Sequence, residues 1–259
     1  MKILIADKLS PKAIAALEKI GADITSSPNL KAEELSEAIG NANVLIVRST
    51  KVFAETIEAG KSLELIIRAG AGVNNIDLEK ASNSGVYVAN CPGKNSDAVA
   101  ELALGHIIAC DRRIVNASID LRNGNWKKKA YQNAAGLKGR TLGIIGLGSI
   151  GNALAKLAKG LDMNVIAWSR SLTPDKADKL DLNYCESITE VAANADVVSV
   201  HLAMTPDTKH LLNNDFFNKM KDGAIFVNTS RGEIVDTAAL RKAIDEKALR
   251  VGLDVFENE

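Results

Sequence analysis

The stretch TLGIIGLGSIGNALAKLAKGLDMNVIAWSR, residues 141–170, decides the fold. An apolar run, TLGIIG, leads into Gly146, Gly148 and Gly151 in the pattern G-x-G-x-x-G. A helical stretch follows, and then a second apolar run, NVIAW. Strand, glycine turn, helix and strand in that order are the context that gives the pattern meaning as a dinucleotide-binding unit. Gly146 permits a tight turn, Gly148 lets the backbone approach a pyrophosphate, and Gly151 lets the helix pack on the strand. The amides of Ser149 and Ile150 then point at phosphate from the positive end of the helix. The strand after this turn ends in Ser169 and Arg170, where a carboxylate would hold the ribose hydroxyls of NAD. Without that carboxylate a 2′-phosphate is not repelled, and Arg170 can pair with it, which leans toward NADP. Arg170 as a solvated side chain beside bound NAD is the alternative, so the expected cofactor is NAD or NADP.

Outward from this unit, short apolar runs alternate with helical patterns. KILIA, NVLIV, LELII and VYVAN precede it, and VVSVHL, AIFVNT and LRVGLDVF follow. Near-continuous Val/Ile/Leu runs are buried on both faces, as in parallel sheets flanked by helices. The reading is α/β, with two Rossmann-like or flavodoxin-like parallel-sheet domains. Residues 1–95 form a substrate domain and residues 96–259 a dinucleotide-binding domain, bridged by a long helix from about Ser96 to Ile114. Polar and glycine clusters follow the strand ends: RS, RAGAG, LGSIG, SRS and SRGE. Ligands of open α/β sheets bind outside the carboxyl ends of strands, so the site is expected in the cleft between the domains.

Composition narrows the class. Lys plus Arg equals Asp plus Glu at 32 each, which provides no net field toward nucleic acid or anionic lipid. Aromatics at 4% are a poor supply for stacking bases, and no apolar run approaches a membrane span. Cys91, Cys110 and Cys185 are widely spaced and without a C-x-x-C pair, as expected of reduced cysteines in a cytoplasmic protein.

RAGAGVNNID, AELALGHIIA, GLGSIG and VNTSRGEIVD together resemble the D-isomer-specific 2-hydroxyacid dehydrogenases. Within that family, VRSTKV and RAGAGVNNIDLEKASNSGVYVAN are most similar to the phosphoglycerate dehydrogenases. The resemblance implies hydride transfer between a nicotinamide and the hydroxyl-bearing carbon of a small anionic 2-hydroxy or 2-oxo acid, D-3-phosphoglycerate first, in serine biosynthesis. Arg231 matches the family's catalytic arginine, and a planar guanidinium can grip a carboxylate and polarise the adjacent carbonyl. Thr229 and Asp254 match cofactor-binding positions, and Gly70 and Gly72 match a loop that brings amides to the substrate carboxylate. Arg48, Ser49, Lys51 and Arg68 at strand ends supply cations and a hydroxyl suited to a small dianion. Glu259 matches the glutamate that orients an acid–base histidine, which in the family lies beyond it. His106, His201 and His210 do not match that histidine and read as packed or surface residues. The 259-residue chain is therefore expected to bind cofactor without turnover, and to show an apolar face on the first unit where the family's C-terminal segment returns. The long helix and GNWKKKAY match the family's dimerisation region, so a homodimer is expected. Two other readings stand beside this one: an NADP-dependent glyoxylate or hydroxypyruvate reductase, and a non-catalytic dinucleotide-sensing protein.

Overall fold

The computed structural model describes residues 1–258, which fall into two compact units, Met1–Asn95 and the chain from Ser96 onward.

The first unit holds β1 (Lys2–Ile5), α1 (Pro11–Lys19), β2 (Asp23–Ser26), α2 (Leu35–Ala38), β3 (Val44–Val47), α3 (Ala54–Ala59), β4 (Leu65–Arg68), α4 (Leu78–Asn83) and β5 (Tyr87–Ala89). All pairings are parallel and the strand order is β2-β1-β3-β4-β5, the flavodoxin-like arrangement. α1 starts as its sequence dictates: Ser10 caps the Ala13 amide and Pro11 opens the helix. One sheet face packs Leu4, Leu45, Val47 and Ile66 against Leu35, Ile39 and Ile57. The opposite face carries Ile3, Ile5, Val44 and Ile46 under Ile14 and Leu17 of α1. Toward β5 the cover thins, and Tyr87 is 79% exposed. The edge strand β2, DITS, is almost wholly solvated and has no apolar run to mark it in the sequence.

The second unit holds α5 (Ser96–Arg112), α6 (Ile114–Arg122), α7 (Lys128–Tyr131), β6 (Thr141–Ile145), α8 (Ser149–Lys159), β7 (Asn164–Trp168), α9 (Pro174–Lys179), β8 (Asn183–Tyr184), α10 (Ile188–Asn194), β9 (Val197–Val200), α11 (Asn214–Lys219), β10 (Ile225–Asn228), α12 (Thr237–Lys247) and β11 (Arg250–Leu253). The strand order β8-β7-β6-β9-β10-β11, all parallel, is the doubly wound Rossmann order. Phe216, Phe217 and Phe226 meet edge to face in the core on one side of this sheet.

The long helix stops at Arg112, because Arg113 takes a left-handed φ of 53°, and the polar stretch beyond it forms α6 and α7. The face of α5 that is buried is Ala100, Ala103 and Ile107, while Leu102 points outward. Small residues allow close approach to α8, which brings Ala155 and Ala158 to the same cluster.

Candidate active site

In the second unit the strand order reverses between β6 and β9, where a doubly wound sheet opens its ligand crevice. The glycine turn lies there. Gly146 has φ +97° and its Cα faces the His201 carbonyl at the end of β9, where a Cβ would come within 2.5 Å of the oxygen. Gly151 backs directly onto the Gly146 carbonyl, so a methyl would overlap backbone, and it would also lie 3.2 Å from Ile144 Cγ2. Gly148 differs from both. It caps α8 in an extended conformation, is exposed, and a Cβ there would meet nothing within 4 Å. Ser149 and Ile150 open α8, with their amides at its positive end.

Three observations fit a dinucleotide on this edge. Gly148 leaves open space in front of the α8 N-terminus. Thr229 Oγ1, just past β10, is enclosed with no hydrogen-bond partner among the described residues. Ser169 and exposed Arg170 follow β7, with Ser169, Leu147 and Leu172 lining a hollow of about 330 Å³.

Arg231 follows β10 with its side chain partly buried, its Nη1 donating to the Ser230 carbonyl at 2.6 Å and its own carbonyl accepting from Asn228 Nδ2 at 2.9 Å. Asp254 leaves the adjacent strand β11, its amide donating to the Asn228 carbonyl at 3.1 Å. Arg231 and Asp254 are thus held at the ends of paired strands. Glu259 lies outside the described residues.

In the first unit, β3 and β4 pair in register Val47↔Arg68, which sets Arg48 and Ser49 beside Arg68. The Arg68 guanidinium folds over Gly70, where any side chain would collide with it. Gly70 donates its amide to the Arg68 carbonyl at 2.8 Å and accepts from the Cys91 amide at 2.9 Å. Gly72 continues that loop, and Ala71 accepts from Asn90 Nδ2 at 2.6 Å. Arg48, Ser49 and Lys51 are exposed.

One contributor was invisible in the sequence. Asp7, directly after β1, accepts from the amides of Arg48, Ser49 and Thr50 at 2.6, 3.1 and 3.0 Å. These hydrogen bonds outweigh partial burial and hold its carboxyl below the usual range. A polar residue at the end of a first strand was its only signal, since the β1–β3 adjacency cannot be read from one run.

His106 lies on α5 against Gly252 of β11. His201 meets Ser199 Oγ at 2.9 Å, and burial pushes its pKa down to about 4. His210 is exposed, but it is not idle: its Nε2 pairs with Glu257 Oε1 at 2.6 Å. Among the described residues no cluster of His, Cys, Asp and Glu could hold a metal, and no helix is long and apolar enough to cross a membrane.

The family description "D-isomer specific 2-hydroxyacid dehydrogenase, NAD binding domain" matches residues 104–259. A D-3-phosphoglycerate dehydrogenase of Methanocaldococcus jannaschii is 40% identical over 261 residues, covering 100% of this chain and 49% of the relative. A hydroxypyruvate reductase of Thermotoga maritima is 41% identical over 262 residues, covering 100% of this chain and 83% of the relative. The crystal structure of a glyoxylate reductase from Paecilomyes thermophila superposes with a TM-score of 0.88 at 30% identity, covering 100% of this chain and 82% of that one. The chain spans about half the length of the phosphoglycerate dehydrogenase it matches. With the glycine turn at the switch point and the family match over the whole second sheet, this chain belongs to the D-isomer-specific 2-hydroxyacid dehydrogenase family.

Proposed function

We propose that the protein moves a hydride between a nicotinamide dinucleotide and C2 of a D-2-hydroxy acid, with D-3-phosphoglycerate as the physiological substrate, in cytoplasmic serine biosynthesis. The observation that carries the reading is Arg231 on the same sheet edge as the Gly146–Gly151 turn, with Asp254 on the neighbouring strand end. The bound cofactor supplies or accepts the hydride at its nicotinamide ring. The chain does the rest. Amides of Ser149 and Ile150 hold the pyrophosphate, and Thr229 Oγ1 and Asp254 serve the nicotinamide side. Arg231 grips the substrate carboxylate and polarises the carbonyl, holding charge that builds on oxygen. It cannot supply the proton, because a guanidinium does not deprotonate in a protein. That proton belongs to a histidine oriented by Glu259, as the family resemblance implies. Arg48, Ser49, Lys51 and Arg68 take the second anionic group, on a loop that Asp7 holds in shape.

A second reading has its own support. β7 ends in Ser169 and Arg170 with no carboxylate, and relatives of about equal identity are a hydroxypyruvate reductase and a phosphoglycerate dehydrogenase. An NADP-dependent reductase of glyoxylate or hydroxypyruvate would use the same groups without needing Lys51. Steady-state reduction of phosphohydroxypyruvate, hydroxypyruvate and glyoxylate by the full-length protein, with NADH and NADPH, separates the two. Highest kcat/KM on the phosphorylated acid supports the first reading, and preference for glyoxylate with NADPH supports the second.

A homodimer is part of the proposal. α6 and the segment after it expose Ile114, Val115, Ile119, Leu121 and Trp126 together, an apolar face of the kind that marks an interface.

A further inference from the structure

We propose that Glu257, gripped by His210 and Thr237, is a positioning residue that locks residues 254–257 onto the Arg231 segment and so shapes the nicotinamide end of the cofactor site. The inference rests on the assignment of Arg231 and Asp254 to that end.

Three stretches of chain meet at this carboxylate. The first is the loop 205–212 between β9 and α11, which carries His210. The second is 231–237, which runs from Arg231 into α12. The third is 254–257, leaving β11. Loop and second stretch are laced together by backbone: His210 N donates to the Glu233 carbonyl at 2.9 Å, Leu212 N to Ile234 at 3.1 Å, and Asp236 N to Leu212 at 3.0 Å. Glu257 then bridges both. Oε1 pairs with His210 Nε2 at 2.6 Å, and Oε2 accepts from Thr237 Oγ1 at 2.8 Å.

Two further features show that the meeting point is built rather than incidental. Gly232, the residue after Arg231, is buried with its Cα against the Phe256 carbonyl and the Glu257 amide, and any side chain would overlap that backbone. His210 sits at φ 49°, a left-handed conformation that is unfavourable for a non-glycine residue. Such strain persists where surrounding contacts over-determine it. Here they are the Glu233 hydrogen bond on its amide and Glu257 on its ring.

A surface ion pair would be the plain alternative, and the side chains are in fact 42% and 24% exposed. Pairs of that exposure add little to global stability. That difference makes the proposal testable, because a local clasp alters what sits beside it without unfolding the unit.

The test uses the full chain and the variants Glu257→Ala, Glu257→Gln, His210→Gln and Thr237→Val. Calorimetry compares NADH with ADP-ribose, which keeps the adenosine and pyrophosphate but lacks nicotinamide. Glu257→Ala should weaken NADH by about tenfold, the loss of one charge-assisted hydrogen bond's worth of ordering. ADP-ribose affinity should stay within about twofold and the melting temperature within about 2 °C. His210→Gln and Thr237→Val should each show part of the NADH loss. Glu257→Gln should recover part of it, since an amide can still accept from Thr237 and donate to a neutral imidazole. Hydrogen exchange should speed up at residues 254–257. Unchanged NADH affinity in Glu257→Ala would overturn the proposal, and so would an equal loss of NADH and ADP-ribose. Failure of the unaltered protein to bind either ligand would instead sink the assignment of the cofactor site.

Discussion

Gly148 and Gly151 belong to one pattern and should fail in opposite ways. At Gly148 the backbone is extended, with φ −83° and ψ −159°, and a Cβ would meet nothing within 4 Å. Alanine there strains nothing. Loss of the glycine's freedom in the unfolded chain should even stabilise by about 0.4–1 kcal/mol. A valine would place two methyls in front of the α8 amides and displace a pyrophosphate from one or two charge-assisted hydrogen bonds. At roughly 1.5–3 kcal/mol each, loss of about 3 kcal/mol is expected, or on the order of 100-fold in Kd. Gly151 is the reverse case. Its missing side chain is where the Gly146 carbonyl sits, and backbone cannot swing aside as the end of a flexible side chain could. Gly151→Ala must push α8 off β6, an overpacking cost of about 1–3 kcal/mol or more. For a unit of this size that is a fall in melting temperature of roughly 2–10 °C. Thermal melts read by circular dichroism, with calorimetric titration of NADH and NADPH, separate the effects. Gly148→Val should melt with the parent and bind weakly. If it bound cofactor with parental affinity, or melted as early as Gly151→Ala, the reasoning about this turn would be wrong.

Three other outcomes follow from the same geometry. Ser169→Asp should move the ratio of dissociation constants toward NADH, because a carboxylate after β7 accepts ribose hydroxyls and repels a 2′-phosphate; an unmoved ratio in calorimetry would clear Ser169 of that role. Lys51→Met should lower kcat/KM for phosphohydroxypyruvate by about tenfold more than for glyoxylate, since only the former carries the second anion, and equal losses would show that Lys51 does not read phosphate. Burial holds His201 at about 4 against an ordinary 6.5, so the unfolded chain binds its proton more readily; that stability is whole above pH 6.5, drains as pH falls toward 4, and amounts to at most roughly 3 kcal/mol. Urea unfolding of the parent and His201→Gln at pH 7 and pH 4.5 should show the difference shrink in acid, and parallel pH profiles would contradict it.

What could be read from the sequence was what burial writes into it. Strands β1, β3, β6, β9 and β10 are buried at nearly every position and appear as unbroken apolar runs. The edge strands β2 and β8 are held by one neighbour each and are largely solvated, so nothing in DITS or NY distinguishes them from loop. α6 escaped because its apolar residues face outward, where no alternation with a buried face could mark it. The helix break at Arg113 is a single φ in a residue type that gives no warning of it. At the proposed site, groups placed by a local pattern were legible: the glycine turn, Arg231 after a strand, and the cations after β3 and β4. Residues that act by long-range pairing were not. Asp7 needs the β1–β3 adjacency to reach the amides of residues 48–50, and the two partners of the His210–Glu257 pair are 47 positions apart in sequence. Neither follows from spacing.

The most direct measurement is the fate of the hydride. The full-length protein should be incubated with NADH deuterated at the nicotinamide C4, in each configuration in turn, and with phosphohydroxypyruvate, hydroxypyruvate or glyoxylate. The products are then examined by mass spectrometry and chiral analysis. One cofactor configuration should pass its deuterium to C2 of the product, with phosphohydroxypyruvate and hydroxypyruvate giving only the D isomer, and Arg231→Lys should suppress the transfer while cofactor still binds. Cofactor binding without deuterium in any 2-hydroxy acid, or a product of the L configuration, would contradict the account.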